Sequence, residues 1–126
     1  MITGIGTDLV KIGRIKKSLE TTGDRFAKRI LEQSEFMEFS KSVLPANFLA
    51  KRFAVKEAAG KALGTGIGQG VSWQDIIVEH DEIGAPILKF KGRAAELAEQ
   101  KGVKSMHVSI SDEVEYATAF VILSTT

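Results

Sequence analysis

The sequence predicts one globular domain of mixed helices and strands, and three observations carry that prediction. Apolar residues recur at helical spacing through the first half, strand-like runs and alternation fill the second, and a long alanine-rich helix stands between them. A chain of 126 residues suffices for a single core but buries only roughly 65–70% of its unfolded surface. Little is left for a deep private pocket, so a site shared between subunits is anticipated.

Met1 to Val10 mixes β-branched residues with Gly4 and Gly6 and suits a strand interrupted by close backbone approaches. From Lys11 to Glu20, Ile12, Ile15 and Leu19 fall at helical spacing between Lys11, Arg14, Lys16 and Lys17, which predicts a short amphipathic helix with a basic exposed face. Gly23-Asp24 interrupts the chain, and Phe26, Ala27, Ile30 and Leu31 form a second stripe beside Arg25, Lys28 and Arg29. Ser34 is read as the N-cap of a third short helix through Phe36, Met37 and Phe39. Ala46 to Leu63 is the strongest helix, opened by Pro45 and closed by Gly64, with Ala50, Ala54, Ala58 and Ala62 in a narrow stripe for close packing. Gly64, Gly66, Gly68 and Gly70 must then form a loop.

Ile76 to Val78 and Ile87 to Phe90 read as a hairpin turning over Asp81 to Pro86. Gly92 to Lys101 supplies a helix with Ala94, Ala95, Leu97 and Ala98 inward, ended by Gly102. Val103 to Ser111 alternates cleanly, Met106, Val108 and Ile110 on one face and Ser105, His107, Ser109 and Ser111 on the other. Tyr116 to Leu123 is apolar on both faces, as for a central strand or one buried at a subunit contact.

Composition narrows the function classes. Seventeen basic and sixteen acidic residues leave a net charge of +1, too balanced to make nucleic acid the default partner. The absence of cysteine excludes a disulfide framework, thiolate zinc sites and a cysteine nucleophile. No apolar run nears the roughly 20 residues that cross a bilayer, and Met1-Ile2-Thr3-Gly4 lacks signal-peptide character, so a cytoplasmic location without membrane contact is expected.

Glu57 and Lys61 lie four residues apart on one face of the long helix, which ordinarily makes a surface ion pair worth a few tenths of a kcal/mol. Their alanine neighbours argue for a different use, a carboxylate beside a divalent metal and a cation at a leaving oxygen. Asp8, following Gly4-Ile5-Gly6-Thr7 in an apolar strand, is either a strand-end turn or cap residue or the second carboxylate. Together Asp8 and Glu57 offer the hard oxygens that magnesium prefers, completed by water and substrate phosphate. The loop Gly64-Thr65-Gly66-Ile67-Gly68 lacks the ending and order of a P-loop and is either a flexible cap or a place where a diphosphate approaches the backbone. Two histidines, His80 and His107, cannot build a histidine metal site. Lys11, Arg14, Lys17, Arg25, Lys28 and Arg29 form either a solvated face or a dock for an acidic partner.

Ile5-Gly6-Thr7-Asp8-Leu9-Val10, the stretch from Phe48 through Lys51-Arg52 and Lys56-Glu57 to Ala58, and Lys61-Ala62-Leu63-Gly64-Thr65-Gly66-Ile67 closely resemble the signature of the holo-acyl-carrier-protein synthases, the short bacterial-type phosphopantetheinyl transferases. Gly84-Ala85-Pro86, His107 to Ile110 and Tyr116 to Ala119 extend the resemblance over essentially the whole chain, residues 1–126 as one transferase domain. The resemblance implies an α+β fold, a largely antiparallel sheet packed on the long central helix, in homotrimers with active sites in the clefts between protomers. It implies transfer of 4′-phosphopantetheine from coenzyme A to a serine of apo-acyl carrier protein in fatty-acid biosynthesis, with release of adenosine 3′,5′-bisphosphate. Asp8 and Glu57 match the magnesium ligands, Lys61 the phosphate-contacting lysine and Arg52 a residue associated with the 3′-phosphate. Gly64, Thr65, Gly66 and Pro86 match coenzyme-contacting segments, and Arg14 with its basic neighbours Arg25 and Arg29 resembles the surface that receives the carrier. Many members read Ser-His where this chain has Ser111-Asp112, and that histidine is associated with the 3′-phosphate. An ionised carboxylate cannot donate to phosphate, so Lys51, Arg52 or a neighbouring subunit is expected to compensate.

The expected chemistry is in-line attack of the carrier serine on the β-phosphorus, with catalytic roles for Glu57 and Lys61. The serine proton passes to Glu57 or to a metal-bound water, and Lys61 stabilises the departing bisphosphate oxygen. The rival reading is a non-catalytic module whose basic helices bind an acidic protein or a nucleotide without turnover. Retention of both carboxylates together with Lys61 argues against it.

Overall fold

A computed structural model describes residues 1–126 throughout. Strand β1 (Ile2–Lys11) runs directly into helix α1 (Ile12–Thr22), followed by the short helices α2 (Arg25–Ile30) and α3 (Gln33–Ser40) and the long helix α4 (Pro45–Leu63). A glycine loop and one 3-10 turn (Trp73–Asp75) lead to the strands β2 (Ile76–His80) and β3 (Pro86–Phe90). Helix α5 (Gly92–Gln100) and the strands β4 (Ser105–Asp112) and β5 (Tyr116–Ser124) complete the chain. The fold is α+β. Its main sheet has the order β1-β5-β4, antiparallel throughout, and β2 and β3 form a separate antiparallel hairpin. The doubly apolar β5 is therefore the central strand, as its sequence predicts.

Helix α4 is positioned by what it lacks. Ala50, Ala54, Ala58 and Ala62 are all buried, and the stripe they form meets the two glycines of β1. A Cβ built on Gly6 would sit 1.9 Å from the carbonyl oxygen of Ala58, and one on Gly4 1.9 Å from that of Ala62. Helix and strand touch backbone to backbone there. Such an approach admits no side chain at either glycine. Pro45 opens α4 as predicted, and Gly64 closes it in the left-handed region with its N–H donated to Lys61 O at 3.0 Å.

The third helix starts differently from its sequence reading. Glu32, not Ser34, is the N-cap: its carboxylate accepts from Ser34 N at 2.9 Å, and its own backbone N–H donates to Glu35 Oε1 at 3.0 Å. Ser34 lies one residue inside the helix and gives its hydroxyl to the same Glu32 carboxylate at 2.6 Å. A glutamate spans the distance to the first free N–H groups and adds an anion at the helix N-terminus, which a serine does not. Glu35, drawn inward by this reciprocal cap, is completely buried.

Candidate active site

Alternation along β1 and the pitch of α4 decide which side chains meet. Gly6 rests on Ala58, so Asp8, two residues on, faces α4, while Ile5, Thr7 and Leu9 face away. Glu57 and Lys61 border the same crossing. Lys61 Nζ donates to Asp8 Oδ1 at 3.1 Å and to the Thr7 carbonyl oxygen at 2.9 Å. The i,i+4 pair with Glu57 that spacing alone predicts is not formed; Lys61 reaches across to the strand instead. Asp8 is neither a turn residue nor a cap, but sits mid-strand opposite Ala119.

Glu57 is half-buried and keeps its proton to a higher pH than an ordinary glutamate. Burial is the main cause and the nearby Asp8 charge the second; Lys61 and the Trp73 indole pull the other way and do not prevail. The Trp73 Nε1 atom is buried and makes no hydrogen bond of normal length. Two carboxylates with one lysine between them leave the crossing with an excess of negative charge. No third histidine, cysteine or carboxylate completes a preformed cage. Magnesium asks for no more than one or two carboxylates plus water and phosphate oxygens, so the donor set fits that ion.

The glycine loop follows directly on Lys61. Gly66 N donates to Gly60 O at 2.9 Å, and a Cβ on Gly60 would meet Gly66 carbon at 2.9 Å, so the loop folds back onto its own helix. Gly64 and Thr65 lie on that return, with the Thr65 hydroxyl donated to Gly66 O at 2.8 Å. These glycines thus have a packing role whatever else approaches them.

Arg52 and Pro86 are brought together in a second depression of about 290 Å³, lined also by Glu38, Phe48, Lys51 and Asp112. None of Asp8, Glu57 and Lys61 lines it. Arg52 is almost wholly buried, its guanidinium 4.5 Å from the Phe48 ring centroid. It donates to Glu35 at 3.2 Å, to the Val78 carbonyl at 3.0 Å and to Glu38 at 3.3 Å.

Behind it lies a residue that sequence reasoning missed. Lys56 is fully buried and spends all three ammonium protons, on Glu35 Oε1 at 2.7 Å, on the Trp73 carbonyl at 3.0 Å and on the Ile76 carbonyl. Burial lowers its proton affinity and the Glu35 charge opposes that fall. Glu35 accepts in addition from Val78 N at 3.1 Å, so one carboxylate ties α3, α4 and β2 together. The available signal was Arg52 and Lys56 on the same α4 stripe as the buried Leu49, Ala59 and Leu63.

The basic residues Arg14, Arg25 and Arg29 are exposed, as are Lys11, Lys17 and Lys28. Arg14 and Lys17 border one shallow depression with Thr22, and Arg25 and Arg29 border the next, which Thr22 also lines. Arg29 lies over the Trp73 ring at 5.8 Å and Lys28 over the Phe36 ring at 5.5 Å.

The antiparallel α+β fold brings a strand aspartate, a helix glutamate and a lysine to one crossing, and residues 4–121 match the sequence profile of a family of transferases. The chain belongs to the 4′-phosphopantetheinyl transferase superfamily. It is 54% identical to the holo-[acyl-carrier-protein] synthase of Vibrio cholerae over 98% of both chains. Its fold superposes on the crystal structure of holo-[acyl-carrier-protein] synthase from Neisseria meningitidis with a TM-score of 0.91 and 43% identity, covering 98% of this chain and 99% of that one. A holo-(acyl-carrier-protein) synthase from Bacillus anthracis, solved in complex with CoA (3′,5′-ADP), matches with a TM-score of 0.83 and 39% identity over 100% and 99% of the two chains.

Proposed function

We propose that this chain transfers the 4′-phosphopantetheine group of coenzyme A to a serine of apo-acyl carrier protein, releasing adenosine 3′,5′-bisphosphate, and that it serves fatty-acid biosynthesis in the cytoplasm as one domain spanning residues 1–126. The observation that carries this reading is the meeting of Asp8, Lys61 and Glu57 at the crossing of β1 and α4, in a chain 54% identical end to end to a holo-acyl-carrier-protein synthase. No helix is long and apolar enough to cross a membrane.

Asp8 and Glu57 would hold magnesium. When bound, the ion neutralises diphosphate charge and orients the reacting phosphorus. Glu57, whose proton affinity burial raises, is the base this chain supplies for the serine hydroxyl. The serine oxygen bonds to the β-phosphorus as the phosphorus–oxygen bond to the bisphosphate breaks. Lys61 sits more than half exposed beside Asp8, free to turn towards the departing oxygen. Arg52, Pro86 and the Gly64-Thr65-Gly66 segment contribute the coenzyme contacts, and Arg14, Arg25 and Arg29 receive the acidic carrier.

A homotrimer with shared sites accounts for two features of the single chain. Ile5, Leu9 and Phe120, each at least 40% exposed, lie on the sheet face turned away from α4, an apolar surface without a partner in the protomer. The depression containing Arg52 is also separate from the Asp8–Lys61–Glu57 crossing, and a neighbouring copy would join the two halves.

Incubation with coenzyme A, magnesium and an apo-carrier, read by intact mass, is expected to add one phosphopantetheine per carrier. Coenzyme binding without any mass gain would favour the non-catalytic module instead.

A further inference from the structure

Two cations line the depression on the α3 side of α4, and each faces a carboxylate that lines it too. Arg52 is held from behind by Glu35 and the Val78 carbonyl, which together use both protons of one terminal nitrogen. Its other terminal nitrogen donates outward to Glu38, whose side chain is 54% exposed. Glu35 and Glu38 stand three residues apart on α3, one behind the guanidinium and one at the mouth of the depression. Across the opening, Lys51 lies 4.0 Å from Asp112, both sides of the pair more than a third exposed.

These two outer pairs differ in kind from the inner one. Glu35 is sealed in and cannot leave, whereas Glu38 and Asp112 can swing into water; Asp112 leaves only an exposed pair, and Arg52 keeps Glu35 when Glu38 turns away. The two cations and two carboxylates of the depression, whose wall also includes His80, balance in formal charge, so the carboxylates compete with an incoming dianion for Arg52 and Lys51. We propose that Glu38 and Asp112 are stand-in anions, occupying Arg52 and Lys51 until a phosphate of the ligand displaces them, and that they set how strongly this chain prefers a ligand bearing that phosphate. The inference rests on the reading that this depression receives the 3′-phosphate end of coenzyme A. Because the displaced group is tethered rather than a bulk anion, binding also loses less strength to added salt than two free cations would impose.

Calorimetric titration with adenosine 3′,5′-bisphosphate, and with adenosine 5′-monophosphate as the ligand lacking the second phosphate, tests the idea without turnover. Glu38→Gln and Asp112→Asn should each tighten bisphosphate binding by about twofold to fivefold and steepen its salt dependence, with monophosphate affinity almost unmoved. Glu96→Gln, an exposed change of equal charge on α5, controls for net charge and should do neither. Lys51→Gln reports on the underlying reading. If it weakens the bisphosphate while Glu38→Gln and Asp112→Asn change nothing, the depression binds phosphate and the stand-in role is wrong. Weaker binding in those two variants would also overturn it, making the carboxylates ligand contacts. If none of the three substitutions alters bisphosphate affinity, the ligand binds elsewhere and both readings fall.

Discussion

Glu57 shows most clearly how burial sets a charged residue at odds with stability. The folded protein holds its proton more tightly than the unfolded chain does, through burial and the neighbouring Asp8. The stabilising contribution is therefore complete below the unfolded value near 4.5 and is lost as pH rises through the higher folded value. Glu57→Gln, which resembles the protonated form, should melt roughly 1–3 °C above the unsubstituted protein at pH 7, and the difference should close near pH 4. Magnesium should raise the melting temperature of the original protein and not that of the variant, while transfer in the variant falls at least about a hundredfold. Melting curves with and without the ion, set beside the mass assay, check all three statements. Spacing singled out Asp8, Glu57 and Lys61 as candidates but left their use open, and only the resemblance grouped them; that they meet at one crossing is a long-range fact of the fold. Glu35 was not, since an acidic residue in a short polar helix looks solvated until α4 and β2 close over it. The resemblance gave Arg52 a proposed phosphate role, but its near-complete burial and its three protein acceptors could not be read from the sequence.

At the scale of elements, β1 and α4 are fitted by subtraction, and the two kinds of glycine in the N-terminal region make opposite predictions. Gly6→Ala places a methyl 1.9 Å from a carbonyl oxygen that cannot retreat without moving α4 and the carboxylate it carries, Glu57. A loss above about 3 kcal/mol is expected, with transfer reduced even in protein that remains folded. Gly13→Ala lies in α1 with nothing within 4 Å and should stabilise by about 0.5–1 kcal/mol. Denaturant titration of the two variants decides both. The limits of α4 and the central place of β5 could be read from Pro45, Gly64 and unbroken apolarity, which are local signals. The cap of α3 could not: serine has the better general record as a cap, and Glu32 wins through a partner, Glu35, whose burial depends on distant elements.

The whole molecule presents two contrasting surfaces, an apolar sheet face and a basic helical one. If the proposed homotrimer buries the apolar face, Leu9→Lys or Phe120→Lys, each adding charge there, should give monomers in sedimentation while leaving the circular dichroism spectrum intact. Transfer should disappear with the assembly if the site is shared, and should persist in the monomer if it is not. Reversing Arg14 to Glu acts on the other surface. Association with the carrier should slow and its dependence on salt should flatten, because steering operates over about a Debye length, while coenzyme affinity stays nearly constant. Transfer rate against carrier concentration at two salt levels, with calorimetric coenzyme affinity alongside, separates the two effects.

Trp73, the only tryptophan in the chain, stands between the basic surface and the candidate site. One side of its ring carries Arg29 of the basic surface, and its idle buried N–H lies beside Glu57. The molecule thus holds a single indole fluorophore whose emission, excited apart from that of Tyr116, should respond to the titration of the glutamate, to a cation arriving there and to an acidic protein drawing Arg29 away. Each event can be followed in unlabelled protein, and comparing Glu57→Gln with Arg29→Gln would assign every spectral change to one side of the ring.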